Sequence, residues 1–185
     1  MTEQELLQNG IGRKLIFLGR AADMISVSLS STKDCSSEFA IHILTDCEIC
    51  FCGRLFARAN EVYYVTQSGR TVYDEKVAQL MSSGKDYVLE NLSYDSHGCL
   101  HVEFSNELMI RTLSERSMTD ADDELWRVFL VHAATPHLIG TASGVYLEEA
   151  NCTQQELENN RNALHEVLRR KGWRQTNAQN GNTIN

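Results

Sequence analysis

The 185-residue chain carries 17 Lys and Arg against 25 Asp and Glu, a formal net charge of −8. That field repels nucleic acid and anionic lipid, and no Lys/Arg cluster in the sequence offers a local exception, so neither is expected as a partner. Hydrophobic residues at 42% and charged residues at 23% are globular rather than disordered proportions, and no apolar run approaches the ~20 residues of a membrane span.

Residues 1–9 carry Glu3 and Glu5 without a positive or an apolar stretch, so a signal peptide is not expected and the cytoplasm is the expected compartment. The six cysteines are then expected to be reduced, with no disulfide framework in their spacing. Thr2 and Glu5 have capping-box spacing, which predicts a short helix ending at Gly10. Leu15 to Leu18, a polar turn, and then Ile25, Val27 and Leu29 alternating with serines predict two strands. After the polar loop 30–37, further strands are expected at 39–43, 49–56 and 61–65. Gln67-Ser-Gly-Arg70 suits a turn, and Asp74 is the expected N-cap of a helix that carries Val77, Leu80 and Met81 to Gly84.

A strand at 87–92 leads to the clearest signal in the chain. Leu100, Val102 and Phe104 alternate with Cys99, His101 and Glu103, then Ser105-Asn106-Glu107 breaks the run before Leu108 and Ile110 resume it, predicting a hairpin. An acidic spacer at 118–124 precedes strands at 125–132 and 137–147, with Pro136, the only proline, in the turn between them. Thr153 and Glu156 form a second capping-box pattern ahead of a C-terminal helix, 153–171, with an apolar stripe of Leu157, Leu164, Val167 and Leu168. Residues 174–185 read as a polar tail.

Val27-Ser28-Leu29 is similar to Val102-Glu103-Phe104, and Ala40-Ile41-His42 to Met109-Ile110-Arg111, a weak internal repeat. The expected fold is therefore α+β and mainly antiparallel β, a single domain over 1–173. Two pseudo-repeated strand-rich halves, about 9–66 and 85–147, would carry a few flanking helices including the C-terminal one.

The segments Gly12-Arg13-Lys14, Gly19-Arg20-Ala21-Ala22-Asp23-Met24, 39–43, Phe104-Ser105-Asn106, Trp126-Arg127-Val128-Phe129 and 137–144 carry a resemblance. Over roughly 9–147 the chain resembles a family of uncharacterised bacterial proteins of under two hundred residues. That family usually has a Trp-Arg pair in its first half where this chain has Cys47-Glu48-Ile49. The resemblance implies no activity; some domains of this general kind accompany bacterial toxin loci as immunity proteins.

Cys47, Cys50 and Cys52 are the densest cysteine cluster, but on one strand Cys50 and Cys52 share a face that Cys47 does not. Small buried hydrophobes are a better reading than a zinc site, and no metal or cofactor is expected. Asp120, Asp122, Asp123 and Glu124 lack the glycine and closing glutamate of an EF-hand. The residues singled out for binding are Arg20, Asp23, His42, Trp126, Arg127 and His137, each weighed against a structural role: Arg20 and Asp23 as a pair pinning a turn, Trp126 as core, Arg127 in an ion pair. Two functions follow. The favoured one is a small acidic interaction protein, immunity-like or antitoxin-like, whose partner has a basic surface, with self-association also open. The alternative is a small-ligand binder or enzyme with a pocket between the two halves.

Overall fold

The computed structural model describes residues 1–31, 37–113, 123–150, 153, 155 and 156, of which those up to 150 belong to one compact unit, Met1–Ala150. Helix α1 (Glu3–Gly10) opens the unit. Its capping box forms as the sequence predicts, with Thr2 Oγ1 accepting from the Glu5 N–H and the Glu5 carboxylate accepting from the Thr2 N–H. Strands β1 (Leu15–Ala21), β2 (Met24–Leu29) and β3 (Phe39–Ile43) follow as an antiparallel meander, then β4 (Cys47–Phe51) and β5 (Arg54–Arg58). A 3-10 turn (Ala59–Tyr63) leads to α2 (Val72–Met81). Then come β6 (Leu89–Tyr94), β7 (Leu100–Phe104), β8 (Leu108–Thr112), β9 (Glu124–Leu130), β10 (His137–Thr141) and β11 (Gly144–Glu148).

These strands make two antiparallel sheets, β1-β2-β3-β9-β10-β11 and β5-β4-β8-β7-β6. Their inward faces share one hydrophobic core, in which Leu6, Phe39, Ile41, Ile49, Val102, Ile110, Trp126 and Val128 are buried. The fold is mainly antiparallel β with flanking helices. Among the described residues no helix is long and apolar enough to cross a membrane.

The internal repeat is real and larger than the sequence suggested, because each copy begins with its helix. The order helix-β-β-β-β-β occurs twice, as α1 with β1 to β5 and as α2 with β6 to β10. Leu6 and Leu80, Leu15 and Leu89, and Leu18 and Leu92 are buried pairs each 74 positions apart (80 − 6 in the first). The register slips at the same place in both copies, between Leu15 and Phe17 and between Leu89 and Asn91. Each copy keeps its three-stranded meander and sends its next strands across: β4 pairs with β8, and β9 with β3. The starts of β1 and β6 meet in an antiparallel bridge, Lys14 with Val88, again 74 apart (88 − 14).

Three expected strands change. Residues 49–56 are not one strand, because Cys52 and Gly53 at φ 51° and 69° turn the chain between β4 and β5. Residues 61–65 fall in and after the 3-10 turn, and 137–147 fold at Ala142 and Ser143 into the β10-β11 hairpin. The N-cap of α2 is Thr71, whose Oγ1 accepts from the Asp74 N–H, so the Asp74 carboxylate is left for another partner. The expected acidic spacer, except at Asp123 and Glu124, and the C-terminal helix and tail lie outside the described residues. At the head of that helix the Thr153 and Glu156 capping-box bonds are present.

Arg13 is fully buried without a carboxylate partner among the described residues. Its guanidinium donates to the carbonyls of Asn9, Ser30 and Ser37 at 2.5, 2.9 and 2.7 Å and lies 5.7 Å above the Phe39 ring. One side chain thus ties the end of α1 to the end of β2 and to the β2-β3 loop.

Candidate functional site

Three of the six candidate residues meet on the outward face of the six-stranded sheet. His42 on β3 stands opposite Arg127 on β9, and His137 on β10 is Arg127's other neighbour. The Arg127 guanidinium donates to both Glu124 oxygens at 2.9 and 2.6 Å, and through Nη1 to Glu148 at 2.9 Å and His137 Nδ1 at 2.8 Å. A guanidinium only donates, so Nδ1 of His137 accepts and its proton sits on Nε2. The Phe129 ring lies between the two imidazoles, 4.9 Å from His42 and 4.8 Å from His137 between centroids. Burial, and then the Arg127 charge, holds the His137 pKa below the ordinary histidine value. His42 is lowered chiefly by burial. The network neutralises its own cation with two carboxylates, which leaves Arg127 a structural crosslink between β9 and β11 rather than an anion receptor.

Trp126, next in sequence, points the other way into the core. Its indole N–H donates to the Gly98 carbonyl at 2.7 Å, and Gly140 on the neighbouring strand lies against the ring because no Cβ would fit there.

The equivalent position in the first copy carries the opposite charge. Ile41 pairs with Val128 and Ile110 with Ile49, so the register sets Glu48 where the second copy has Arg127, and Cys47 where it has Trp126. The mostly buried Glu48 carboxylate accepts from Arg111 at 3.0 and 2.6 Å and from Arg58 at 3.0 Å. The hydrogen bond from Arg111 is the main cause holding its pKa below the carboxylate range. None of these three residues stands out in sequence, since Arg58 and Arg111 flank Glu48 only through cross-strand register.

Arg20 serves a different place. It leaves β1, the edge strand of its sheet, and forms a two-pronged pair with Asp74 on α2 at 3.0 and 3.1 Å, while Nη1 donates to the Ala22 carbonyl at 2.6 Å. The expected Arg20–Asp23 pair is not the one made. Asp23 lies in the two-residue β1-β2 turn and is exposed, whereas the Arg20 side chain faces α2. Hydrogen bonding from Arg20 depresses the Asp74 pKa.

The Arg20–Asp74 pair closes one end of an open groove of about 420 Å³ between β1 and α2. Ile16 and Phe17 form one apolar wall and Val77, Ala78 and Met81 the other; Ile16 is 46% and Phe17 48% exposed. Arg70 stands at the same end as Arg20, its Nη2 donating to the Asp74 backbone carbonyl at 3.2 Å, and no described carboxylate forms an ion pair with it. Arg20 and Arg70, fifty positions apart (70 − 20), make the local cationic site that the sequence does not display. The corresponding groove of the other copy, between α1 and β6, is about 510 Å³ and has Glu3, Gln4 and Tyr94 among its walls, with no cation.

Among the described residues no group of three or more His, Cys, Asp or Glu is placed to hold a metal ion. Cys47 is buried on the inward face, which raises its thiol pKa to about 12; Cys50 points outward, and Cys52 sits in the β4-β5 turn rather than on Cys50's face. A pocket between the two halves was one expectation; each sheet mixes strands of both copies, and the space between the sheets is filled by core side chains such as Trp126, Phe39 and Ile41. No family model matches this chain. Comparisons with curated proteins and with solved structures likewise give no match. The geometry therefore stands alone, and it divides the candidates: His42, Arg127 and His137 together in a self-satisfied network, Trp126 in the core, Asp23 at a turn, and Arg20 at an open groove.

Proposed function

We propose that the chain is a small acidic cytoplasmic interaction protein that grips another protein at the β1-α2 groove. One observation carries the reading: beyond its bridge to β6 at Lys14, edge strand β1 has no partner on its outer side among the described residues and presents two half-exposed apolar residues beside an apolar helix face. Native proteins cover, charge or shorten such edges, and leaving Ile16 and Phe17 open has a use when a partner covers them. The net charge of −8 steers approach by a partner with a basic surface. Neutralising a bacterial toxin, as immunity proteins do, is the form of this reading that the family resemblance suggests. A small-ligand binder remains the second reading, because a groove of about 420 Å³ lies within the ~300–1,000 Å³ range of small-molecule sites.

The test places a photo-crosslinking residue at Phe17 or, as control, at Tyr146 on the far edge strand, in the cells the protein comes from. The same protein should be captured from position 17 and not from 146, and Phe17→Glu should abolish its copurification while Tyr146→Glu does not. Equal capture from both positions, or copurification insensitive to Phe17→Glu, removes the reading. A captured small molecule with no protein favours the second.

A further inference from the structure

Resting on that reading, we infer that the groove takes an extended segment of the partner that adds to β1 as a further antiparallel strand and sets an acidic side chain against Arg70 and Arg20. Three observations converge on this occupant. The first is the backbone. Across the two-residue turn, Ala21 and Met24 are the pair that exchanges both hydrogen bonds, and the alternation of an antiparallel ladder then aims the N–H and C=O groups of Arg20 and Leu18 away from β2. Leu18 and Arg20 both line the groove, and the open edge begins beyond Leu15, whose N–H is already taken by the Tyr87 carbonyl at 2.7 Å.

The second is the walls. Ile16 and Phe17 on one side and Ala78 and Met81 on the other leave an apolar trough running beside β1. An incoming strand puts alternate side chains to opposite faces, so every other residue would enter that trough. The third is charge. Asp74 answers Arg20 with both oxygens, while Arg70 beside it has a backbone carbonyl as its groove contact and no described ion pair. A carboxylate arriving at this end would find the Arg70 guanidinium, which feels the Glu75 charge but forms no ion pair among the described residues, and the part-exposed flank of Arg20, whereas a basic residue would be repelled. The α1-β6 groove, with Glu3 on its wall, has the opposite preference and serves as an internal control.

The experiment selects short random peptides displayed on phage against the whole chain, then measures a selected peptide, fluorescently labelled, by anisotropy and by amide hydrogen exchange. Selected sequences should alternate apolar residues and carry Asp or Glu at one end. Arg70→Gln should weaken binding roughly tenfold and flatten its salt dependence, Phe17→Glu should abolish it, and Glu3→Gln should leave it unchanged. The Leu18 and Arg20 amides should exchange more slowly in the complex. Of the three side chains replaced, Phe17 and Arg70 are exposed and Glu3 is part-exposed, and unchanged circular dichroism confirms that the variants fold.

Selection of no peptide, sequences without an acidic residue, or apolar residues spaced three and four apart with no protection at β1 would each overturn the inference. Concentration-dependent self-association lost in Phe17→Glu, without peptide selection, would replace it with a second copy of the chain. If the inference fails while partner capture at position 17 persists, the interaction reading stands; if capture fails as well, both fall.

Discussion

Gly140→Ala tests whether Trp126 is a packing pillar. The added Cβ would lie 2.0 Å from Cε2, 2.3 Å from Nε1 and 2.4 Å from Cζ2 of the indole, against ordinary carbon contacts of about 3.5–4.0 Å. The ring must therefore retreat by more than an ångström, yet Trp126 is fully buried and its N–H is fixed on the Gly98 carbonyl. Overpacking of a well-filled core costs ~1–3 kcal/mol, and a buried indole N–H pulled off its acceptor adds ~1–3 kcal/mol. The expected loss is about 3–4 kcal/mol, read as a lowered urea midpoint at unchanged slope. Trp126→Leu should rescue most of it, so the double mutant is more stable than the sum of the singles implies. Gly19→Ala is the contrast: its Cβ would meet the tip of Phe17 at 2.4 Å, but that ring is half-exposed and can swing aside, so the loss should stay below about 1 kcal/mol. A Gly140→Ala midpoint within 1 kcal/mol of wild type would refute the packing account of Trp126.

Arg13→Ala should cost about 3 kcal/mol in the same denaturation assay, because three carbonyls lose a charged donor and a large side chain leaves the core; a loss under 1 kcal/mol would show that water replaces it. His42 and His137 have pKa values lowered in the fold, so the unfolded chain binds more protons below its own histidine pKa of ~6.5. Stability should be full above that pH and fall as pH drops toward the folded values, and His137→Gln should reduce the dependence; Arg127 opposes protonation there while Glu124 and Glu148 favour it. Asp74 behaves in the opposite range. Its depressed pKa contributes stability above ~3.9 that is lost as pH falls through the folded value, and Asp74→Asn should remove that acid-range component in a pH titration of the melting temperature.

Local signals in the sequence were reliable where one face of one element decided the outcome. Leu100, Val102 and Phe104 are all buried as their alternation requires, and the capping box at Thr2 forms because both partners lie within one turn. Hairpin tips were harder. Cys52-Gly53 and Ala142-Ser143 read as parts of longer apolar runs, although Gly53 is itself a turn cue, and its φ of +69° is one that glycine adopts without strain. Partners separated by a crossover were out of reach: Arg20 finds Asp74 across 54 positions, and Arg111 finds Glu48 across 63. Nearness in sequence favoured Asp23 for Arg20, and only the placement of α2 beside β1 reverses it. The exchange of strands between copies has no local signature, since β4 would bury the same face in either sheet.

The duplication lets the molecule act as its own control for which residues matter. Where both copies bury leucine, at positions 6 and 80, 15 and 89, and 18 and 92, the shared architecture explains the choice. Function is better sought where equivalent positions differ, because the fold tolerates either residue there. The same spacing that relates those leucines sets Phe17 against Asn91 and Arg20 against Tyr94; Arg20 and Tyr94 each line their groove, and Phe17 is a wall residue whose counterpart Asn91 is not. The outward centres differ just as sharply, Glu48 against Arg127, but each is closed by its own counter-charges and has little left to offer a ligand. What distinguishes the β1-α2 groove is an apolar wall left half-exposed and a guanidinium without an ion-pair partner among the described residues. A chain carrying Phe17→Asn and Arg20→Tyr, which makes this groove resemble its counterpart, should keep its fold and lose its partner. Retained partner capture by that double variant would move the search to the surfaces the two copies have in common.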